Sequence, residues 1–186
     1  MDILGKIRDV FEDREFWEKV LDWNGEAETE DDSDEPRFGD VICISRGLYD
    51  HYGVYASDSS VIHFSSPNSD IGADNEIRET DLDGFKRGDS GLRKLVFPKI
   101  HLPPRHVPIP NAVFHTNFGL PFSLFEEYRL RSPAETVARA RSKLGERSYN
   151  LIFNNCEHFA IWCKTGVHES HQVSQLLELI FRNGWS

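Results

Sequence analysis

The sequence predicts an α+β fold, an antiparallel β-sheet packed on helices, and three observations carry that expectation. Short β-rich segments follow one another from Val41 to Phe64 with turn residues between them, and helix-capping signals return from Ser132 onward. The chain of 186 residues is long enough for one compact domain and short for two. Hydrophobic residues make up 39% and charged residues 28%, proportions that suit a soluble domain and exclude a wholly disordered or membrane-embedded chain.

Taken in order, residues 1–24 are expected to form an amphipathic helix. Ile3, Ile7, Val10, Phe11, Trp17, Val20 and Leu21 recur at helical spacing among charges, giving a face that docks on the domain, on a partner or on a lipid surface. The charges that interrupt this segment argue against a signal peptide, and no apolar run approaches the about 18 residues that cross a bilayer. Residues 25–37 read as a solvated acidic linker holding Glu26, Glu28, Glu30, Asp31, Asp32, Asp34 and Glu35. The whole chain carries 31 acids against 21 bases, a net charge of −10; without those seven the balance is 24 against 21, or −3. The domain from residue 38 to 186 is therefore near neutral, and no nucleic-acid partner is expected. Three cysteines are too few, and odd in number, for a secreted disulfide framework, so a cytoplasmic protein is expected, with peripheral membrane contact left open.

Within the domain, Val41 to Ser45, His51 to Ala56 and Val61 to Phe64 are rich in β-branched and aromatic residues and form an expected antiparallel meander. Leu92 to Phe97 reads as another strand, and Pro98 to Pro110 as an extended, irregular path; the rest of the stretch from Pro67 to Pro121 shows no clear periodicity. Ser132-Pro133-Ala134-Glu135 makes a capping box, so a helix should run from Pro133 to about Leu144, with Gly145 ending it. After an extended Ser148 to Phe153, Asn154 or Asn155 caps a helix that begins at Cys156 and stops before Gly166. Val173, Leu176, Leu177, Ile180 and Phe181 mark a third helix.

Cys156 in the first turn of a helix stands among unpaired N–H groups at the positive end of the macrodipole, a placement that favours thiolate and suits a nucleophile. It needs a base. His158 points about 200° away on the helix and is read as structural. His51 and His63 lie on the two strands of one expected hairpin, twelve residues apart. A loop of three or five residues puts them on one face, and one of two or four puts them on opposite faces. Zinc held by His51, His63 and Cys156 is chemically feasible, yet neither H-E-x-x-H nor C-x-x-C occurs, so no metal and no cofactor are expected. The remaining histidines, His101, His106, His115, His168 and His171, show no ligand spacing, and phosphate-loop and G-x-S-x-G motifs are lacking.

Two blocks, Gly39-Asp40-Val41-Ile42 with Tyr49-Asp50-His51-Tyr52-Gly53-Val54-Tyr55 and Val61-Ile62-His63, then Asn155-Cys156-Glu157-His158-Phe159 with Cys163-Lys164-Thr165-Gly166, together resemble the lecithin retinol acyltransferase family. The resemblance covers about Phe38 to Gly166. It implies a circularly permuted papain-like fold of the NlpC type, with Cys156 as nucleophile, His51 as general base and His63 orienting that base. Tyr49 would line the site, hold an oxyanion or simply pack. The implied chemistry is transfer of an acyl group from a lipid ester to Cys156 and on to an amine, alcohol or water, so the implied partners are lipids and acyl acceptors. His63 in second place would stabilise imidazolium on His51 less well than a carboxylate. Animal members of the family often end in a hydrophobic anchor, whereas this chain ends in the amphipathic Gln172 to Trp185, so constitutive insertion is not expected. Two other readings compete: a papain-like amidase or peptidase, and a non-enzymatic interaction module in which the acidic linker and N-terminal helix recruit partners.

Overall fold

In the computed structural model the described residues are 35–70, 74–97, 128–147 and 155–168, the helical positions Val173, Ser174, Leu176 and Leu177, and the backbone of residues 21–22 and 99–100. Of the expected helix over residues 1–24 only the backbone of Leu21 and Asp22 is described, and of the Pro98 to Pro110 path only that of Lys99 and Ile100; the linker up to residue 34 and the Ser148 to Phe153 segment lie outside the described residues. So does the chain beyond Leu177.

β-branched and aromatic residues are concentrated in β2 (Val41–Ser45), β3 (Asp50–Ser57) and β4 (Ser60–Ser65), which are buried on both faces, and each strand pairs antiparallel with the next as the meander requires. β5 (Glu76–Thr80) adds to β4, and the two-residue β6 (Arg93–Lys94) adds to β2, giving the order β5-β4-β3-β2-β6. The strand expected over Leu92 to Phe97 is thus only two residues long. Leu95 still donates its N–H to Val41 O at 2.9 Å, but Pro98 has no N–H with which to continue an edge ladder. Leu21–Asp22 (β1) pairs with Lys99–Ile100 (β7), so Leu21 is in a strand and not at the end of a helix; its pairing partner lies far along the chain, where helical periodicity cannot register it.

The sheet has two covered faces. Val41, Cys43, Tyr52, Val54, Ile62, Phe64 and Ile77 point to one, where they pack against α2 (Pro133–Arg141), α3 (Asn155–Thr165) and buried Val173, Leu176 and Leu177. Cys156, Phe159, Ala160 and Cys163 fall at i, i+3, i+4 and i+7 and are all buried, so one stripe of α3 faces the sheet and begins with Cys156. Each fully buried large apolar side chain here contributes about 1.5–3 kcal/mol. The opposite face carries Ile42, Ile44, Tyr55 and Val61 and is closed by Phe85 of the short helix α1 (Leu82–Lys86).

Ser132 and Glu135 form the expected capping box at the start of α2. The helix ends at Arg141, three residues before the expected Leu144, because its last turn tightens: Lys143 and Leu144 donate to carbonyls three residues back, at 3.1 and 3.2 Å. Gly145, at φ +80°, then lets the chain turn back to donate to Ile77 O at 2.8 Å. Gly39 has φ +85°, and a Cβ there would stand 2.3 Å from Pro133 Cα, so only glycine allows the start of α2 to lie so close to the sheet.

Candidate active site

His51 and His63 share the Phe85 face of the sheet, and the way they come to do so resolves the parity question the sequence left open. The turn at Asp58-Ser59 is two residues long and pairs Ser57 with Ser60, which alone would set the histidines on opposite faces. A bulge between Tyr55 and Ser57 adds one residue and restores the even register, Gly53 with His63. The two imidazoles are consequently diagonal neighbours, with His51 Nε2 2.8 Å from His63 Nδ1. Phe85 holds both, with its ring centroid 5.2 Å from each imidazole.

His63 Nε2 lies 3.0 Å from Thr80 Oγ1, and Thr80 Oγ1 donates to Asp81 O at 3.1 Å. Of the four ring nitrogens in the pair, only His51 Nδ1 has no hydrogen-bond partner among the described residues, and it is buried. Burial first, and the Arg46 and Arg87 guanidiniums next, push His51 down to about 3; burial and His51 itself push His63 to about 3. Both are therefore neutral imidazoles at physiological pH.

Cys156 approaches from the other face. The β3–β4 ladder stops at Gly53 and His63, while β3 continues to Asp50. At this open end the Cys156 sulfur lies 4.0 Å from Asp50 O, and the backbone N–H groups of Tyr52 and Glu157 are directed at it. The thiol thus straddles the backbone of His51, although no hydrogen bond joins the two side chains. Such contacts are often loose before substrate binds. The first-turn placement of Cys156 leads to an expected thiolate, and here the structure differs. Burial pushes the thiol up to about 12, outweighing the two N–H groups, so the resting form is a neutral thiol beside a neutral imidazole. Glu157 is pushed up to about 7 by burial and by Asp50. Tyr49 is half-buried at the turn before β3, and its phenol is raised by burial and then by Asp70, with Cys156 also within electrostatic reach. It borders the site. Cys43 and Cys163 are likewise buried free thiols, in the same core cluster as Cys156.

Sequence reasoning missed a carboxylate. Asp70 Oδ1 is 3.6 Å from His51 Nε2, and the side chain is only 3% exposed. Arg46 binds its other oxygen at 2.8 Å and Arg87 approaches Oδ1 at 3.2 Å. Arg46 also donates to Phe85 O and Lys86 O, each at 2.6 Å, and pairs with Asp89, so one guanidinium fastens α1 and Asp70 to the turn before His51. Arg87 reaches Asp70 from the left-handed C-cap of α1, at φ +52°. A Ser66–Ser69 turn, closed by a 2.8 Å backbone bond, carries the chain from β4 back over the histidines. The turn-forming run after His63 was the available signal; nothing in it identifies Asp70 as the residue brought inward. Thr80 and Phe85 were missed for a similar reason, although Asp81 accepting from Gly84 N is an ordinary N-cap.

His51, His63 and Asp70 present ligand atoms within 4.8 Å of one another and so form a conceivable cation site. The donors are already committed, however: the imidazoles bind each other and two guanidiniums take the carboxylate. The group works as an ion-pair and hydrogen-bond network, with a carboxylate able to stabilise imidazolium on His51. Among the described residues no helix is long and apolar enough to cross a membrane.

Comparison with known proteins agrees with these blocks. A family model described as lecithin retinol acyltransferase matches residues 34–169. The chain is similar to lecithin retinol acyltransferase of Rattus norvegicus, 27% identical over 151 residues that cover 76% of this chain and 60% of that protein. It is also similar to two proteins of Homo sapiens. Phospholipase A and acyltransferase 4 is 25% identical over 142 residues, 76% of this chain and 77% of that protein. Phospholipase A and acyltransferase 2 is 29% identical over 140 residues, 75% and 76% of the two chains.

Proposed function

Because the chain belongs to the lecithin retinol acyltransferase family, we propose that it is a thiol-dependent lipid acyltransferase or acyl hydrolase with Cys156 as nucleophile, His51 as general base and His63 orienting that base. The observation that carries the proposal is the meeting at the open end of β3. There a first-turn thiol lies 4.0 Å from Asp50 O, with the Tyr52 and Glu157 N–H groups favouring its anion, and the strand residue after Asp50 is an imidazole with one buried nitrogen that has no hydrogen-bond partner among the described residues. A circularly permuted papain-like arrangement is part of the same proposal, supported by a cysteine helix that follows the histidine-bearing sheet in the chain.

In the first half-reaction His51 Nδ1 takes the Cys156 proton as sulfur attacks the ester carbonyl of a lipid. Deprotonation accompanies attack, because both groups rest neutral. The Tyr52 and Glu157 N–H groups lie where negative charge develops, and Asp70 opposes the positive charge on His51. The tetrahedral intermediate collapses with cleavage of the carbon–oxygen bond, His51 returns the proton to the departing alcohol, and a thioester remains. An alcohol, amine or water then gives its proton to His51 and takes the acyl group as the carbon–sulfur bond breaks, and His51 passes that proton to the departing Cys156 sulfur. The names of the human relatives join hydrolysis and transfer, which supports a site open to either acceptor. Tyr49 lines the entrance. Three buried free thiols fit a reducing, cytoplasmic setting, with the lipid met at a membrane surface.

Incubation with a phospholipid followed by intact-protein mass spectrometry tests this. The expected result is one acyl adduct, mapped to Cys156 and missing in Cys156→Ala. Unchanged lipid turnover in that variant, with no adduct on the wild type, would overturn the proposal.

A further inference from the structure

We propose that Thr80 is a positioning residue that determines which nitrogen of His51 carries the proton. The inference rests on the reading of His51 as general base, and it deepens that reading. A base at Nδ1 requires the neutral imidazole to hold its hydrogen on Nε2. Nothing in an isolated imidazole ensures this.

The hydrogen-bond chain supplies the direction. Asp81 O can only accept, and it is held in place as the first acceptor of α1, taking the Phe85 N–H at 3.0 Å. The Thr80 hydroxyl spends its single hydrogen on that carbonyl at 3.1 Å. It can therefore meet His63 Nε2, 3.0 Å away, only with a lone pair, so His63 must carry its hydrogen on Nε2. His63 Nδ1 is then an acceptor, and His51 Nε2, 2.8 Å away, must be the donor. The lone pair of His51 is left on Nδ1, the unpartnered nitrogen. If Thr80 instead donated to His63, every hydrogen in the chain would reverse and His51 would present N–H on its free side, unable to accept a proton.

The charged groups around the pair support the same assignment. Asp70 Oδ1, 3.6 Å from His51 Nε2, favours hydrogen on that side. Arg46 and Arg87, which flank it, and Arg78, which pairs with His63 across the β4–β5 ladder, all oppose a second proton on the pair. Thr80 lies on the histidine face because it pairs with Val61 at the end of β5, immediately before the Asp81 cap.

Two measurements on the full chain test the inference. In histidine-selective nitrogen NMR at neutral pH, wild type should show His51 and His63 both with hydrogen on Nε2. Thr80→Val keeps the shape and removes the acceptor; it should give mixed tautomers and lower kcat about tenfold to a hundredfold with KM unchanged, the effect of one buried donor left unpaired. Thr80→Ser should restore both. A wild-type His51 with hydrogen on Nδ1, or a Thr80→Val protein with both tautomers and kcat intact, would overturn the role of Thr80. A wild type with the expected tautomers but no acyl transfer or hydrolysis would instead overturn the proposed function.

Discussion

Gly53 stands directly across from His63 and beneath Phe85, and its replacement by alanine tests whether the histidine pair is held by packing. The backbone there needs no left-handed conformation, so a single methyl is the whole perturbation. That methyl would lie 2.9 Å from Phe85 Cε2, 3.0 Å from Val61 Cγ1 and 3.3 Å from His63 Cβ. Ordinary carbon contacts begin near 3.5 Å, so the Phe85 ring must retreat by about 0.6 Å. It has no free space for that, being fully buried against both imidazoles. Overpacking of this kind costs about 1–3 kcal/mol, while replacing glycine in a strand returns about 0.5–1 kcal/mol, leaving a net loss of about 1 kcal/mol at the middle of those ranges. Urea denaturation of Gly53→Ala should show that loss, and ester turnover should fall through kcat, because the displaced ring carries His51 with it. In a Phe85→Leu background the shortest of the three contacts is relieved, so adding Gly53→Ala should there cost less. A Gly53→Ala protein as stable as wild type with the same kcat would refute the packing argument.

Asp70→Asn removes the charge that two guanidiniums share. It should destabilise the protein by about 3 kcal/mol, as breaking a buried pair does, and lower kcat more than KM; thermal unfolding and steady-state kinetics check the two effects. The histidines also predict a pH dependence of stability. Both are held at about 3, below the ordinary 6.5, so their contribution is complete above pH 6.5 and is lost as pH falls toward 3. Each adds at most about 1.4 kcal/mol per pH unit, so His63→Asn should flatten the acid side of the stability profile relative to wild type. Glu157, raised to about 7, opposes this below neutrality, and Glu157→Gln should steepen the profile. Finally, Cys156 should alkylate with iodoacetamide more slowly at pH 8 than a free cysteine, because its thiol is held near 12; fast alkylation would contradict the neutral resting pair.

The strands and helices that carry Cys156, His51 and His63 were legible because each rests on local chemistry. Runs rich in β-branched and aromatic residues, divided by turn-forming groups, mark β2 to β4, and Ser132 to Glu135 announces α2. The supporting residues were not legible. Asp70, Thr80 and Phe85 come from a stretch without strong periodicity, and their importance arises from groups 17 to 39 positions apart, as in the His63–Thr80 bond and the bond from Arg46 to Phe85 O.

The sequence by itself determined the antiparallel sheet, the cap and stripe of the helices, and a cysteine set in the first turn of one of them, since periodicity and capping act within a few residues. Only the tertiary structure decided that the histidines share a face, because a one-residue bulge reverses the parity of a two-residue turn. It alone supplied the carboxylate beside them, as ion pairs between distant segments leave no trace in local pattern. It also set the protonation of the pair and of the thiol: helix position favours thiolate, but desolvation depends on what the whole fold packs around the sulfur, and in this protein desolvation is the larger effect.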